Sequence, residues 1–129
     1  AIFNAAVADF KVKEIKSEKM KKNESFDLKL EKNIDILSNI SNHNSLRPKI
    51  TIGFAAESQD VEINSKKKLD QKNCDWIIAN DISDKTIGFD SEDNEVSIFY
   101  KNKETEKLLK KRKSLIASEI VDRVISELN

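Results

Sequence analysis

Apolar residues occur along this chain in three patterns, and each predicts a different element. Mostly apolar runs stand at residues 1–8, 49–55 and 75–79, the second introduced by Arg47-Pro48. Without polar alternation, they read as short strands buried on both faces of a sheet. Alternation at residues 25–31 and 95–100 predicts strands with one face in water. Helical spacing appears three times. Asn33 is placed to cap a helix of about two turns carrying Ile36, Leu37 and Ile40. Asp60 is placed to cap a second, running to about Lys72, apolar at Val61 and Leu69 and basic near its end, where cations suit the helix dipole. Residues 111–128 carry Leu115, Ile116, Ile120, Val124, Ile125 and Leu128, the pattern of an amphipathic helix packed on a sheet. Residues 91–94 read as a turn, Asn102-Lys103 as a hairpin turn, and lysine-rich residues 11–24 as a mobile loop. Strands alternating with helices predict an α/β fold: a mainly parallel sheet flanked by helices, with an antiparallel edge at residues 95–108.

Composition narrows the picture. In a chain of 129 residues, 38% are hydrophobic and 36% charged, which suits one domain with a sizeable core and an ion-rich surface. Lys+Arg and Asp+Glu both number 23, so the formal net charge is zero. No global field favours nucleic acid or a membrane as partner; only local clusters matter. No apolar run approaches the ~20 residues of a membrane span, no leader is read at the start, and one cysteine, Cys74, permits no internal disulfide. A cytoplasmic protein is expected. The apolar run beginning abruptly at residue 1 reads as an incomplete domain, cut inside a larger one. Neither of the two glycines stands in a glycine-rich phosphate loop. A nucleotide would have to be held by lysine side chains or strand-end backbone.

Five short segments carry candidate chemistry: Asn4-Ala5-Ala6-Val7-Ala8-Asp9-Phe10, Lys19-Met20-Lys21-Lys22, Asn33-Ile34-Asp35-Ile36-Leu37, Gly53-Phe54-Ala55-Ala56-Glu57 and Ala79-Asn80-Asp81. In open α/β sheets ligands bind beyond the carboxyl ends of the strands, and small or acidic segments here follow hydrophobic runs. Asp9 reads as a ligand for a hydroxyl or Mg²⁺, or as the start of a turn. The lysines at 19, 21 and 22 read as a lid for a polyphosphate, or as a solvated charge run. Phe54 reads as a stacking platform for a base or ribose, or as a core residue. Lys68 and Lys72, four apart on one helix face, read as a phosphate clamp or as a solvated basic face. His43 lies in a polar loop and Cys74 at a strand start, where a buried thiol is ordinary. No Cys/His spacing suggests zinc.

Taken in order, these segments resemble phosphopantothenoylcysteine synthetase, the CTP-dependent ligase of coenzyme A biosynthesis, in its C-terminal half. The resemblance covers residues 1–129, which read as the C-terminal part of a synthetase domain with a Rossmann-like fold. The NAAVADF segment is similar to the family's AAV(A/S)D motif, whose Asp lies in the CTP site; that implies nucleotide binding by Asp9, with Mg²⁺, and by the backbone of Ala5 and Ala6. Lys19-Met20-Lys21-Lys22 matches the family's KxKK motif, which implies a catalytic and nucleotide-binding role for Lys19. Ile34, Asp35, Ile36 and Leu37 stand where relatives carry a segment whose backbone reads cytosine, with Ile34 in place of proline. Gly53 to Glu57 match GFAAE, implying contact of Phe54 with the nucleotide, and Lys68 and Lys72 are implied to contact the CTP phosphates.

The implied substrates are 4′-phosphopantothenate, L-cysteine and CTP. FMN enters only if a decarboxylase is fused upstream. The implied assembly is a homodimer or larger homo-oligomer, with residues 25–31 at the interface. The family's N-terminal half is missing from these residues, so the fragment is expected to lack full activity alone. Two other readings stand open: a non-catalytic regulatory or oligomerisation domain retaining the motifs, and a fragment of a Rossmann-like oxidoreductase.

Overall fold

The computed structural model describes residues 1–15, 17–19, 27–82 and 91–129. They divide into two compact units, residues 1–4 with 36–129, and residues 5–35.

The larger unit is a five-stranded sheet with helices on both faces. Its strands are β1 (Ile2–Phe3), β4 (Ile52–Glu57), β5 (Trp76–Asp81), β6 (Asp93–Tyr100) and β7 (Glu106–Arg112), in spatial order β1-β4-β5-β6-β7. β1 runs parallel to β4 and β4 to β5, while β6 pairs antiparallel with both β5 and β7. Four strands therefore point one way and β6 alone is reversed. The expected mainly parallel sheet with an antiparallel edge is present, joined there by the hairpin at Asn102-Lys103.

β5 explains the architecture. Its unbroken apolar run alternates between two cores. Trp76 and Ile78 pack with Ile52, Ile98 and Leu108 against helix α3 (Lys113–Leu128) on one face. Ile77 and Ala79 pack with Ala55, Phe99 and Leu37 on the other, under helices α1 (Ile36–Ser41) and α2 (Val61–Lys72). Helix α3 buries Ile116 and Ile120, with Val124 half-buried, an i, i+4, i+8 stripe; Leu115, Ile125 and Leu128 are exposed. Helix α2 ends at Asn73 in the left-handed region (φ 52°), whose N–H bonds back to Asp70 O, the stop Asn commonly supplies.

The smaller unit is a two-stranded antiparallel ribbon, β2 (Phe10–Val12) with β3 (Leu30–Lys32). Val12 lies opposite Leu30, Phe10 opposite Lys32, and on the other face Lys11 pairs with Glu31 at 3.3 Å.

Several expectations are corrected. Residues 1–8 are not one buried strand: among the described residues only Ile2–Phe3 of this run pair, β1 has a neighbour on one side only, and Ile2 is 46% exposed. The strand expected at residues 25–31 is Leu30–Lys32, with residues 27–29 outside it and 25–26 outside the described residues. Asn33 caps no helix; α1 starts at Ile36, because Asn33 is tied into the ribbon. The strand expected from residue 49 starts at Ile52, and Asp93 and Asn94, expected in a turn, already belong to β6. Asp60 precedes α2, but with φ 47° and no side-chain capping bond.

Candidate functional site

The parallel strands β4 and β5 end at Glu57 and Asp81, in register with one another, with Ile82 N–H donating to Glu57 O (2.9 Å). Gly53, Ala55 and Glu57 face α1 and α2, whereas Ile52, Phe54 and Ala56 face the α3 side, as strand alternation requires. Phe54 is 37% exposed between the buried Gly53 and Ala55. It is therefore not the core phenylalanine that composition alone favours. It lies on the opposite sheet face from the α2 lysines, so a ligand touching both must cross the strand end.

Lys68 and Lys72 share one face of α2 as their spacing predicts. Long helical side chains lean toward the helix N-terminus, which here adjoins the carboxyl end of β4. Lys68 Nζ accordingly reaches Glu57 Oε1 at 2.5 Å. Lys66 pairs instead with Glu62 one turn back, on another face.

Leu37 is buried against Gly53 and Ile77. Its side chain is core, which leaves only its main chain for a ligand. Ile36 beside it is exposed.

The remaining candidates belong to the residue 5–35 unit. Ala5, Ala6, Asp9, Lys19, Ile34 and Asp35 are all exposed. Asn33 joins two of the sequence segments: its N–H donates to Asp9 O (2.7 Å) and its Nδ2 to Ala8 O (3.0 Å). The Ala8-Asp9 turn and the residue 33–35 stretch are thereby held side by side. Sequence reading gave Asn33 a capping role and missed this clamp, since residues 24 apart give no local signal. Lys21 and Lys22 lie outside the described residues.

Among the described residues no group of three or more His, Cys, Asp and Glu side chains could hold a metal. Asp9 offers a single exposed carboxylate. That fits a cation arriving with its own ligands, as Mg²⁺ does when it keeps several waters and binds substrate phosphates. Burial pushes the Cys74 thiol up to about 11, so it is no nucleophile at neutral pH. His43 is exposed and structural: its Nδ1 accepts from Leu46 N–H (3.1 Å) and Ser45 N–H (3.3 Å). No helix among the described residues is long and apolar enough to cross a membrane.

Comparison with known proteins agrees across the chain. Residues 1–128 match the family described as DNA/pantothenate metabolism flavoprotein C-terminal domain. The chain is 41% identical over 122 residues to the coenzyme A biosynthesis bifunctional protein CoaBC of Haemophilus influenzae, covering 94% of this chain and 30% of that protein. The CoaBC of Escherichia coli (strain K12) is 35% identical over 127 residues, covering 95% and 30%. This chain thus spans about 30% of the length of these curated relatives. A crystal structure of the C-terminal domain of a CoaBC is similar with a TM-score of 0.72 at 31% identity, covering 98% of this chain and 55% of that one. A DNA/pantothenate metabolism flavoprotein from Streptococcus pneumoniae shares the fold, with a TM-score of 0.60 at 22% identity over 83% of this chain and 46% of that one.

Proposed function

The chain belongs to the DNA/pantothenate metabolism flavoprotein C-terminal domain family, and from that membership we propose that it serves coenzyme A biosynthesis as the C-terminal part of a phosphopantothenate–cysteine ligase. In the proposed reaction the carboxylate of 4′-phosphopantothenate attacks the α-phosphate of CTP, and pyrophosphate leaves. The amine of L-cysteine then attacks the acyl carbonyl of the resulting acyl-cytidylate, forms the amide, loses its proton and expels CMP.

The chain's task is positioning and charge neutralisation. Lys68 and Lys72 hold phosphate oxygens. Lys19 stabilises charge developing on the transferred phosphorus. Phe54 offers its exposed ring to the base or ribose, and the main chain of Ile34, Asp35, Ile36 and Leu37 reads the cytosine edge. The backbone of Ala5 and Ala6 allows close approach, and the carboxylate of Asp9 would hold Mg²⁺. When bound, that ion supplies neutralisation of phosphate charge. FMN would enter only with a decarboxylase fused upstream. The proposed working state is a cytoplasmic homodimer or larger homo-oligomer.

The observation that carries this reading is the exposed Phe54 near the carboxyl end of β4, between the buried Gly53 and Ala55. Calorimetric titration with CTP and then ATP, each with Mg²⁺, tests it. The expected outcome is CTP binding weakened about tenfold by Lys68→Ala or Lys72→Ala, roughly the loss of one charge-assisted phosphate contact. Binding indifferent to both substitutions would reject the phosphate clamp.

A further inference from the structure

The proposed clamp has an unassigned member. Lysine is a compact charge on a flexible stem, and ordering it for a ligand costs rotamer freedom. Lys68 does not carry that cost unaided, because its Nζ is held 2.5 Å from Glu57 Oε1. Glu57 is suited to be an anchor. It is the last residue of the β4–β5 register, and its carbonyl is fixed by Ile82 N–H. Its side chain is only 13% exposed, against 40% for Lys68, and Oε1 is shut off from solvent. A phosphate arriving from solvent therefore meets the ammonium before the carboxylate.

We infer that Glu57 is a positioning residue that presets Lys68 for the phosphates of the nucleotide. The inference rests on the nucleotide-binding role of Lys68. An ammonium has three N–H donors; Glu57 holds the Lys68 ammonium by charge, as an ion pair without a formed hydrogen bond, which leaves donors for phosphate oxygens, so carboxylate and phosphate share the lysine rather than compete for it. Preorganisation of this kind raises affinity by lowering the ordering cost of binding.

The test is a double-mutant cycle read by calorimetry with Mg²⁺·CTP on the 129-residue chain, with the folding of every variant checked by its thermal midpoint. Glu57→Ala is expected to weaken binding about tenfold. Glu57→Gln, which keeps an acceptor oxygen and the side-chain shape, is expected to weaken it about threefold, the order of an ion pair reduced to a neutral contact. In a Lys68→Ala background either substitution should have less than about a twofold effect, while in a Lys72→Ala background the full effect should remain. The Lys68 Nζ resonance should sharpen toward that of free lysine in both Glu57 variants. An equal effect in the Lys68→Ala background would mean that Glu57 merely supports the fold, and would overturn the inference. Unchanged or tighter binding by Glu57→Ala, with Lys68→Ala still weakening it, overturns the inference and leaves the nucleotide reading standing. CTP binding that is absent, or indifferent to Lys68→Ala, overturns both.

Discussion

Gly53 shows how one missing side chain sets the geometry of a neighbouring segment. A Cβ at this position would run into Cδ2 of Leu37 and press on Cδ1 of Ile77, 3.0 Å away. The glycine is needed for this close approach, which seats the first turn of α1 on β4. Gly53→Ala is therefore expected to destabilise the chain by ~1–3 kcal/mol, the usual range for overpacking. In a Leu37→Ala background the cost should largely vanish, because the atom it strikes is gone. Urea midpoints of the two single variants and the double would show this; a neutral Gly53→Ala, or costs that simply add, would refute the contact. At this scale the sequence was legible unevenly. The motif around Phe54 was readable, and exposure of its ring removed the core alternative. Glu57 was readable only as the last letter of that motif, because its role depends on Lys68, eleven residues away on a helix whose tilt no pattern reveals.

Elements were legible where their pattern is local. β5, α2, the β6–β7 hairpin and α3 follow from an unbroken run, apolar positions at helical spacing, an alternation and a helical stripe. The ribbon was not, because β2 is three residues long and its partner stands some twenty residues on, so no window contains both. The junction beneath the sheet was equally hidden. There Asp75 accepts two bonds from Arg47 Nη2 (both 3.0 Å) and one each from Thr51 N–H (2.7 Å) and Thr51 Oγ1 (3.0 Å). Arg47 also donates to the carbonyls of Ser41, Pro48 and Asn73. This cluster joins the loop after α1, the approach to β4 and the α2–β5 turn at the amino end of β5, away from the proposed ligand end. Asp75→Ala leaves the buried Thr51 amide without its acceptor and Arg47 without its counter-charge. The expected cost is ~2–3 kcal/mol, toward the upper end for an orphaned buried donor. Asp75→Asn, keeping one acceptor oxygen, should lose about half of that. Denaturant unfolding read by the fluorescence of Trp76, the chain's single tryptophan, measures both. Equal stability of Asp75→Ala and the unsubstituted chain would show that solvent replaces the cluster.

For the molecule as a whole, what the sequence hid was its division into two units, because that depends on which distant residues touch. The residue 5–35 unit poses a physical problem. An isolated two-stranded ribbon is marginally stable in water at best. This one nevertheless presents Phe10, Val12 and Leu30 on a single exposed face, with the Lys11–Glu31 pair on the other. Both strands are short, and among the described residues each pairs only with the other. Such a face calls for cover. A second copy is the proposed cover: the formal net charge is zero, so no overall repulsion opposes association of like chains. On this proposal the interface, expected from sequence at residues 25–31, would lie on the face shared by β2 and β3. Val12→Lys and Leu30→Lys would place two like charges directly opposite one another on that face. The doubly substituted chain is expected to be a monomer at concentrations where the unsubstituted chain is a dimer, with the dissociation midpoint raised at least about a hundredfold, ~2.7 kcal/mol. Sedimentation equilibrium over a concentration series reads this directly. Near-ultraviolet circular dichroism of the larger unit's aromatic residues should stay unchanged, which separates lost association from lost folding. If the unsubstituted chain sediments as a monomer throughout, or if the substitutions leave its dimer intact, the ribbon face is not where two copies meet.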